Sequence, residues 1–477
     1  MTIHSVWLFA QHLLWPLRLV LSVLVTLHVL RTKRDIGSAI GWIGLGWLAP
    51  VIGACLYVMF GVNRVRRLAQ RLSRRQRWSS KHGVSTGKRV LQGEYELLSE
   101  AVGRLTGRPL LGGNVLRRFE NGDTAYPVML EAIGAAERTI LLCSYLFHDD
   151  KVGSRFVDAI IAAKDRGVQA RVIVDGVGSG YLRCRAANRL AAAGVPTSRF
   201  MHSLLPWRMP FINLRTHKKI LVVDGHTGFT GGMNIAVENM LQDRPKHPVS
   251  DTHFELRGPI VHQLSEAFAK DWSFSTRNEL DREQFFPEQK EVAPPGAGAL
   301  MRVVTSGPDN EVEKIEFTMM QAVAMARRSI RIMTPYFLPD ERLLTVLAMA
   351  AMRGIEIDIV MPVASNQKPV DWARDANNGP LLDAGVRLWL ARPPFNHSKL
   401  MTMDSNWALI GSSNLDVRSL RLNFELNVEV YDDAMASEIE AFICDHRHIR
   451  LTHHDLDKRN FPHRLRDASA RLMLPYL

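Results

Sequence analysis

THKKILVVDGHTGFTGGMN (residues 216–234) and NHSKLMTMDSNWALIGSSN (residues 396–414) follow one pattern, in which a histidine, a lysine, an aspartate, a glycine and an asparagine recur at the same spacing. A lone His-x-Lys pair carries almost no information, but agreement over the whole pattern in two separate stretches indicates an internal repeat. The matched residues are His217, Lys219, Asp224, Gly231, Gly232 and Asn234 in the first copy, and His397, Lys399, Asp404, Gly411, Ser412 and Asn414 in the second. The sequence therefore predicts two similar halves with one motif each.

The spacing within each motif suits a site for an anion. Residues i and i+2 of a strand point to the same face, so each histidine and its lysine are expected to project together. The apolar run that follows leads to the aspartate near a turn, and the small residues beyond it let backbone approach an anion, with the asparagine adding an amide donor. If the halves meet face to face, two histidines, two lysines and two asparagines surround one phosphate. Such a set supplies a nucleophile, a general acid and charge neutralisation without a metal ion.

The repeat extends beyond the motifs. ERTILLCSYLFHDD (137–150) is similar to RRSIRIMTPYFLPD (327–340), and each is followed by a helical stretch ending in Arg-Gly and by an apolar, β-rich run. The order strand, helix, strand indicates βαβ units with buried parallel strands. The predicted fold class is α/β, with two similar domains, each a mixed sheet flanked by helices, packed with pseudo-twofold symmetry. We place them at residues 110–286 and 299–477, the second ending in a helical tail, with a Pro- and Gly-rich linker at 287–298.

Composition and charge exclude several classes of protein. Of 477 residues, 46% are hydrophobic and 23% charged, which rules out a disordered or fibrous chain, and the four cysteines lack the C-x-x-C spacing of a zinc site. The net charge of +12 comes entirely from residues 1–90, which hold fourteen Lys or Arg and one acid. A nucleic-acid enzyme would be expected to carry positive charge along the groove that binds the phosphates. The distribution therefore favours a lipid surface as the anionic partner.

Residues 1–62 are predicted to form a membrane segment of two apolar helices, a transmembrane hairpin. Ile36–Phe60 contains no charged residue and is long enough to cross a bilayer core of about 30 Å. Val6–Leu30 is interrupted by Arg18, which leaves open whether it spans the bilayer, tilts or lies in the interface, and a re-entrant hairpin is a further alternative.

A basic juxtamembrane region follows at residues 63–109. It begins with seven arginines between Arg64 and Arg77, and by the positive-inside rule this run is cytoplasmic. The bulk of the chain is therefore expected on the cytoplasmic side, beside anionic lipid headgroups.

The paired motifs resemble those of the phospholipase D superfamily, over roughly residues 110–435. Further stretches are similar to bacterial cardiolipin synthases: TPYFLPD (334–340), NLDVRS (414–419), NFELNVEVYD (423–432) and TKRD (32–35). In that family a phosphatidyl group passes from one phosphatidylglycerol to another with release of glycerol. The resemblance implies a membrane-bound phosphatidyltransferase of the bacterial cytoplasmic (inner) membrane, whose partners are membrane phospholipids and not nucleic acid.

The resemblance also implies a role for each site residue. One histidine forms a phosphohistidine and the other acts first as acid and then as base; by analogy His217 is the nucleophile and His397 the acid/base, although the near symmetry of the motifs leaves the reverse assignment open. The residues expected to hold the phosphoryl oxygens are Lys219, Lys399, Asn234, Asn414, Gly232 and Ser412. Those expected to anchor loops are Asp224 and Asp404, and those expected to orient the imidazoles are Asp251 and Glu425. No metal or cofactor is expected.

Alternative functions differ in acceptor or in class. Within the same chemistry, the acceptor could be water or another alcohol instead of a second phosphatidylglycerol. A nuclease-type phosphodiesterase shares the motif, but the charge distribution argues against it, and two complete motifs argue against a non-catalytic membrane scaffold. The acceptor lipid and the oligomeric state, a homodimer included, stay open at the level of the sequence.

Overall fold

The computed structural model describes residues 3–33, 36–61, 91–202, 214–289, 292–293, 297–308 and 311–472. The chain forms two compact units: one built mainly from its N-terminal apolar part, and an α/β unit that contains both sequence repeats. The arginine-rich stretch 64–77, predicted to be cytoplasmic, lies outside the described residues.

The N-terminal unit consists of helices α1 (Ile3–Thr32), α2 (Ile36–Leu48) and α3 (Pro50–Leu56), followed by a π-helical turn at Tyr57–Gly61. Within the described residues, α1 alone contains a helical window long and apolar enough to cross a membrane, Trp15–Thr32. Helix α1 packs against α2, where Ser22 Oγ donates to the carbonyl oxygen of Gly46 at 2.7 Å. A methyl group at Gly46 would lie 3.1 Å from Val25, so the glycine permits this close approach.

The second apolar stretch is not the uninterrupted helix that its composition predicts. Helix α2 ends at Leu48 and α3 starts at Pro50, because proline has no amide hydrogen to continue the helical hydrogen bonds and favours the first turn of a new helix. The chain bends so sharply there that a Cβ at Gly53 would lie 2.5 Å from the carbonyl oxygen of Leu45. The first stretch forms the continuous helix despite Arg18. The unit therefore pairs one long helix with one broken apolar segment.

The described residues of the α/β unit form twenty strands. They are β1 (Leu111–Glu120), β2 (Thr139–Ser144), β3 (Gln169–Asp175), β4 (Thr197–Phe200), β5 (Arg215–Thr216), β6 (Ile220–Val223), β7 (Thr227–Gly231), β8 (Val249–Ser250), β9 (Thr252–Arg257), β10 (Ala299–Ser306), β11 (Ser329–Met333), β12 (Phe337–Leu338), β13 (Glu356–Pro362), β14 (Arg387–Ala391), β15 (Phe395–Asn396), β16 (Leu400–Met403), β17 (Trp407–Gly411), β18 (Leu415–Asp416), β19 (Asn423–Tyr431) and β20 (Ile449–Leu451).

One mixed sheet runs through both halves. Its order is β20-β14-β13-β11-β16-β17-β19-β10-β1-β9-β7-β6-β2-β3-β4, with β5 pairing on β19. From the antiparallel pair β10–β1 outward, the two directions are equivalent: β9, β7, β6, β2, β3 and β4 correspond to β19, β17, β16, β11, β13 and β14. The prediction of two similar α/β halves with pseudo-twofold symmetry is confirmed. The halves are more intimately joined than separate domains, because their sheets are continuous through β1 and β10.

The helices of this unit flank the sheet. They are α4 (Glu94–Thr106), α5 (Asn121–Ala135), α6 (Lys151–Asp165), α7 (Arg185–Ala192), α8 (Ile260–Thr276), α9 (Arg282–Phe285), α10 (Lys314–Met325), α11 (Glu341–Met352), α12 (Lys368–Asn377), α13 (Gly379–Asp383), α14 (Val417–Arg421), α15 (Asp433–Asp445), α16 (His453–Asp457) and α17 (Phe461–Leu472). Each half has its own apolar core between sheet and helices, with Phe156 and Ile140 at the centre of the first and Trp407 and Ile330 at the centre of the second. The positions of α6 and α11 are also equivalent, since Asp150 and Asp340 cap their N-termini.

Asn114 ties the two halves together at the centre of the sheet. Its Nδ2 donates to the carbonyl oxygens of Leu111 and Ala299, at 2.7 and 3.1 Å, and its Oδ1 accepts from the amide of Ile260 at 2.8 Å. These bonds join β1, β10 and the start of α8 around a bulge between Leu111 and Asn114. Because the side chain is buried, its backbone partners could not form hydrogen bonds with water in its place.

We predict that Asn114→Ala lowers the free energy of unfolding of the α/β unit by about 2–4 kcal/mol, because it leaves buried backbone groups without partners. Thermal unfolding of the purified full chain in detergent would measure this. Val115→Ala, next along the same strand at a side chain that is 43% exposed, is the control and should cost less than about 1 kcal/mol. Equal losses in the two variants would contradict the role given to Asn114.

Candidate functional site

Both motifs meet at one cavity of the α/β unit, with a volume of about 510 Å³. The motif histidines follow two short bridging strands, of which β5 pairs with β19 and β15 pairs with β8. The amide of His217 donates to the carbonyl oxygen of Phe424 at 2.8 Å, and the amide of His397 donates to that of Ser250 at 2.7 Å. Each histidine is therefore fixed by a strand of the opposite half.

The two imidazole rings face each other across the cavity. Their centroids are 6.4 Å apart and the ring planes are inclined by 82°. His217 Nδ1 lies 3.1 Å from Glu425 Oε2, and His397 Nδ1 lies 2.9 Å from Asp251 Oδ2. Each pair again joins the two halves. An imidazole that donates from Nδ1 to a carboxylate keeps Nε2 as a lone-pair acceptor, and this is the form that can attack phosphorus.

Both carboxylates are fully enclosed by protein. Glu425 and Asp251 are 0% and 1% exposed. The carboxylate of Glu425 accepts from the hydroxyls of Ser412 and Ser419, both at 2.5 Å, and from Asn423 Nδ2 at 3.1 Å. Burial opposes its ionisation, but His217 and Lys219 outweigh that effect and hold the pKa of Glu425 below its usual range. The structure thus brings the carboxylates predicted to orient the imidazoles within hydrogen-bond distance of them.

The imidazoles are poised as neutral bases. Burial lowers the pKa of His217, and burial together with the neighbouring Lys399 lowers that of His397 to about 3. The carboxylates act in the opposite direction without cancelling the shift. At neutral pH both rings therefore lack the extra proton.

The two lysines lie behind the imidazoles and are not among the residues that line the cavity. Lys219 Nζ donates to the carbonyl oxygen of His217 at 2.7 Å, and Lys399 Nζ donates to the carbonyl oxygen of His397 and lies 2.7 Å from its Nδ1. Burial lowers the pKa of Lys219 to about 7 and that of Lys399 to about 8. Each ammonium group has three donors, of which one is used by the carbonyl oxygen of the preceding histidine.

Both motif asparagines line the cavity, as the sequence predicts for phosphate ligands. Asn234 Oδ1 accepts from the amide of Leu146 at 3.2 Å, which directs the amide nitrogen of the side chain away from that contact. Asn414 is held by its own backbone amide, which donates to Ser419 Oγ at 3.0 Å.

Gly232 and Ser412 do not lie at the cavity surface, where ligands of a bound phosphate are expected. Neither lines the cavity. The amide of Gly232 donates to the carbonyl oxygen of Thr252, and a Cβ there would lie 2.1 Å from Asp251 Oδ1. The amide of Ser412 donates to the carbonyl oxygen of Leu426, and its hydroxyl donates to Glu425. Both residues therefore make room for, or bind, the carboxylates behind the imidazoles, and their own donors are already used.

Asp224 and Asp404 lie at the far end of their motif strands, in turns. Each has a positive φ, 51° and 53°. Asp224 accepts from the amides of three successive residues, 137–139, and Asp404 accepts from those of 327–329. Each carboxylate thus anchors the start of β2 or β11 to its own turn, and it contacts neither imidazole.

One cluster beside the cavity could hold a metal ion by position. The ligand atoms of His148, Asp150 and Glu238 all lie within 4.8 Å of one another. Asp150 is already engaged, because Oδ1 accepts from two amides in the first turn of α6 and Oδ2 accepts from the amide of Val237. A carboxylate with three amide donors has little capacity left for a metal ion. The expectation of metal-independent chemistry stays a prediction.

The cavity also contains side chains that the motif pattern does not single out. Tyr145 stands edge-on to His217 at a centroid distance of 5.0 Å, and Tyr336 stands similarly to His397 at 6.1 Å. Arg215 and Arg418 line the wall as well. The sequence signal that could have revealed these arginines is their position relative to the motifs. Arg215 lies two residues before His217 and Arg418 lies four residues after Asn414, and at both positions the two copies of the repeat differ in charge.

The pKa of His397 predicts how stability depends on pH. In the folded chain the ring stays neutral down to about pH 3, whereas in the unfolded chain its pKa is about 6.5. Between these values the unfolded chain binds the additional proton, so the free energy of unfolding falls as the pH falls from 7 towards 4. His397→Gln should remove about 1 kcal/mol or more of that loss, measured by urea unfolding in detergent at pH 7 and pH 4.5. His454→Gln, at an exposed position, is the control; the same pH dependence in both variants would contradict the shift.

The comparisons with known proteins agree with this geometry. The family model described as "Cardiolipin synthase, PLD-like domain" matches residues 129–272 and 319–446, and the model described as "Phospholipase D-nuclease N-terminal" matches residues 20–61. Cardiolipin synthase 1 of Bacillus cereus is 30% identical over 462 residues, which cover 93% of this chain and 90% of that protein. Cardiolipin synthase A of Pseudomonas aeruginosa is 32% identical over 437 residues, which cover 89% of this chain and 87% of that protein.

A solved structure shares the fold. The phosphatidylserine synthase of Haemophilus influenzae superposes with a TM-score of 0.59 at 16% identity, covering 80% of this chain and all of that one. Together with the curated relatives and the family models, this agreement identifies a membrane-associated enzyme of phospholipid metabolism. The chain belongs to the cardiolipin synthase family of phospholipase D-like enzymes.

Proposed function

We propose that this enzyme transfers a phosphatidyl group from one phosphatidylglycerol to the terminal hydroxyl of another, which yields cardiolipin and glycerol through a phosphohistidine. The observation that carries the proposal is the facing pair of imidazoles in one cavity, each backed by a carboxylate from the opposite half. One imidazole is needed at phosphorus and the other at the oxygen that leaves or enters. A single histidine could not serve both positions at once.

In the first step, Nε2 of His217 attacks the phosphorus of the donor lipid. The P–N bond forms as the bond to the glycerol oxygen breaks, and His397 gives its proton to that oxygen. Glu425 orients the His217 ring and stabilises the positive charge that it gains. His397 must be protonated for this step, and the negative charge of the bound phosphodiester favours that proton against the burial that otherwise lowers the pKa of His397.

In the second step, the hydroxyl of the acceptor lipid attacks the phosphohistidine. His397, now neutral, accepts the hydroxyl proton, the new P–O bond forms and the P–N bond to His217 breaks. The near symmetry of the two imidazole–carboxylate pairs also permits the reverse assignment of the histidines. The side-chain amides of Asn234 and Asn414 on the cavity wall are suited to hold the phosphoryl oxygens, and Lys219 and Lys399 supply positive charge from behind the rings.

The N-terminal unit supports a location at the bacterial cytoplasmic membrane, with the α/β unit on the cytoplasmic side. Its long apolar helix α1 provides a means of attachment, and the arginines between 64 and 77 follow the apolar stretch directly in the sequence. This arrangement would hold the catalytic unit at the surface from which its lipid substrates come.

The product lipids test the proposal most directly. The purified full chain would be incubated with phosphatidylglycerol in detergent micelles, and the lipids identified by mass spectrometry. Cardiolipin and free glycerol in equal amounts are expected. Phosphatidic acid as the sole product would instead identify a hydrolase, and the absence of both products would overturn a phosphatidylglycerol-dependent function.

We predict that His217→Ala and His397→Ala each lower cardiolipin formation at least about a thousandfold, because the two imidazoles act as a unit in which neither replaces the other. His453→Ala, at an exposed position on α16, is the matched control and should retain the rate of the unmodified enzyme. Normal unfolding curves would show that the folded state survives in the variants. Substantial turnover in either site variant would exclude the two-histidine mechanism.

We predict that activity needs no divalent metal ion. Neutralisation of the phosphate can come from the lysines and amides of the site. Asp150, a member of the candidate cluster found among the described residues, already accepts three amide hydrogen bonds. Turnover measured after dialysis against EDTA should equal that of the untreated enzyme. A loss of activity that Mg²⁺ or Ca²⁺ restores would refute this, and a Glu238→Gln variant would then show whether the cluster is responsible.

A further inference from the structure

The pseudo-twofold symmetry of the cavity is broken by charge at two pairs of equivalent positions. Two residues before the motif histidine, the first half has Arg215 and the second has Phe395. Four residues after the motif asparagine, the second half has Arg418 and the first has Glu238. All four side chains line the cavity. The two arginines therefore contribute to the same wall, and their symmetry counterparts are a phenyl ring and a carboxylate.

The pairing of β5 with β19 fixes Arg215 at this wall. Arg215 is in register with Asn423, which also lines the cavity. Its Nη1 donates to the carbonyl oxygen of Leu214 at 2.8 Å. Arg215 is also close enough to Tyr145, the residue that stands against His217, to affect the pKa of the tyrosine hydroxyl. The nearest carboxylate is that of Asp175, with 4.0 Å between Arg215 Nε and Oδ1.

The carboxylate of Asp175 does not compensate fully for the charge of Arg215. Both of its oxygens already accept backbone hydrogen bonds, from Val177, Gly178 and Thr216, at 2.7–2.9 Å. The contact to Arg215 lies at the outer limit of an ion pair, where the attraction is weak. Part of the guanidinium charge is therefore available to a ligand in the cavity.

Arg418 has no partner of this kind. Among the carboxylates of the described residues, none lies within ion-pair distance of its guanidinium group, and no hydrogen bond from its side chain is formed there. The next arginine of the same helix, Arg421, is fully engaged by contrast, with Asp340 at 2.7 Å and Glu313 at 3.3 Å. Among the described residues, the guanidinium group of Arg418 thus has no ion-pair or hydrogen-bond partner, and it lines the cavity.

The two arginines are close enough to influence each other. Arg418 contributes to lowering the pKa of Arg215, after burial as the larger cause, and both act on the hydroxyl of Tyr145. Two positive charges at one wall repel each other, which is unfavourable in a partly buried site. Asp175 acts against this repulsion at Arg215, and Asp416, which also lines the cavity, interacts with Arg418. Arginine is also the side chain best suited to bind phosphate through two parallel hydrogen bonds. This arrangement fits a ligand with a second phosphate.

We propose that Arg215 and Arg418 bind the phosphodiester of the acceptor lipid, the phosphate that does not react. This inference rests on the proposed function: cardiolipin carries two phosphodiesters joined by a three-carbon glycerol, and the histidines and asparagines can hold only the one that reacts. Glu238, at the position equivalent to Arg418, would repel the second phosphate, so the arginine wall is the favourable place for it. A neutral acceptor such as water or ethanol would make no use of this wall.

The experiment compares two acceptors in the full-length enzyme. With phosphatidylglycerol as donor in detergent micelles containing ethanol, the same phosphohistidine can react with a second phosphatidylglycerol, giving cardiolipin, or with ethanol, giving phosphatidylethanol. Arg418→Gln is the principal variant, because Arg418 forms no ion pair or side-chain hydrogen bond with the described residues that the substitution would remove. We expect cardiolipin formation to fall at least tenfold and phosphatidylethanol formation to change less than threefold. Arg418→Lys should recover part of the cardiolipin rate.

Arg421→Gln is the matched control, since it removes the same charge from the same helix at a residue that does not line the cavity. Its ratio of cardiolipin to phosphatidylethanol should equal that of the unmodified enzyme. A parallel fall of both products in Arg418→Gln would overturn the proposal, because it would mean that the arginine acts on the reacting phosphate; an unchanged ratio would overturn it as well. If the unmodified enzyme forms phosphatidylethanol but no cardiolipin, the proposed function itself fails, whatever the variants do.

Discussion

The site depends on one constraint: each half supplies the contacts that hold the motif histidine of the other half. Each motif histidine is bonded through its amide to a strand of the opposite half, and each imidazole is oriented by a carboxylate from that same strand region, Glu425 for His217 and Asp251 for His397. Neither half can therefore position its own histidine. The continuous sheet through β1 and β10, secured by Asn114, keeps these reciprocal contacts in register.

The second constraint is electrostatic. Two lysines and two histidines are buried around two carboxylates, and burial lowers the pKa of every one of these bases. These four groups are thus protonated less readily than the same groups in water. An anionic phosphodiester reverses part of that effect, because its charge favours the protonated forms. Under the proposed function, binding of the phosphodiester is therefore coupled to the uptake of protons.

Much of this site follows from the sequence, and the exceptions have identifiable physical causes. The repeated spacing predicted the α/β repeat and the facing histidines, because residues i and i+2 of a strand point to the same face. Glu425 and Asp251 were expected beside the imidazoles from the resemblance to the phospholipase D superfamily. The sequence could not show that Gly232 and Ser412 lie beside the carboxylates of Asp251 and Glu425, because a small residue near a site can make room for the ligand or for a side chain behind it, and only tertiary contacts distinguish the two. Composition likewise could not reveal that Pro50 breaks the second apolar stretch, since proline and glycine also occur inside membrane helices.

The continuous central sheet also limits how two inactive variants of the enzyme could complement each other. A chain without His217 and a chain without His397 each keep one intact imidazole, but the two remaining imidazoles belong to different molecules and cannot face each other. We expect such a mixture to stay inactive unless the chains exchange halves, with β1 of one molecule pairing with β10 of the other. Cardiolipin formed by the mixture, but by neither variant alone, would report that exchange, and complementation would become a measure of how firmly the central strand pair holds.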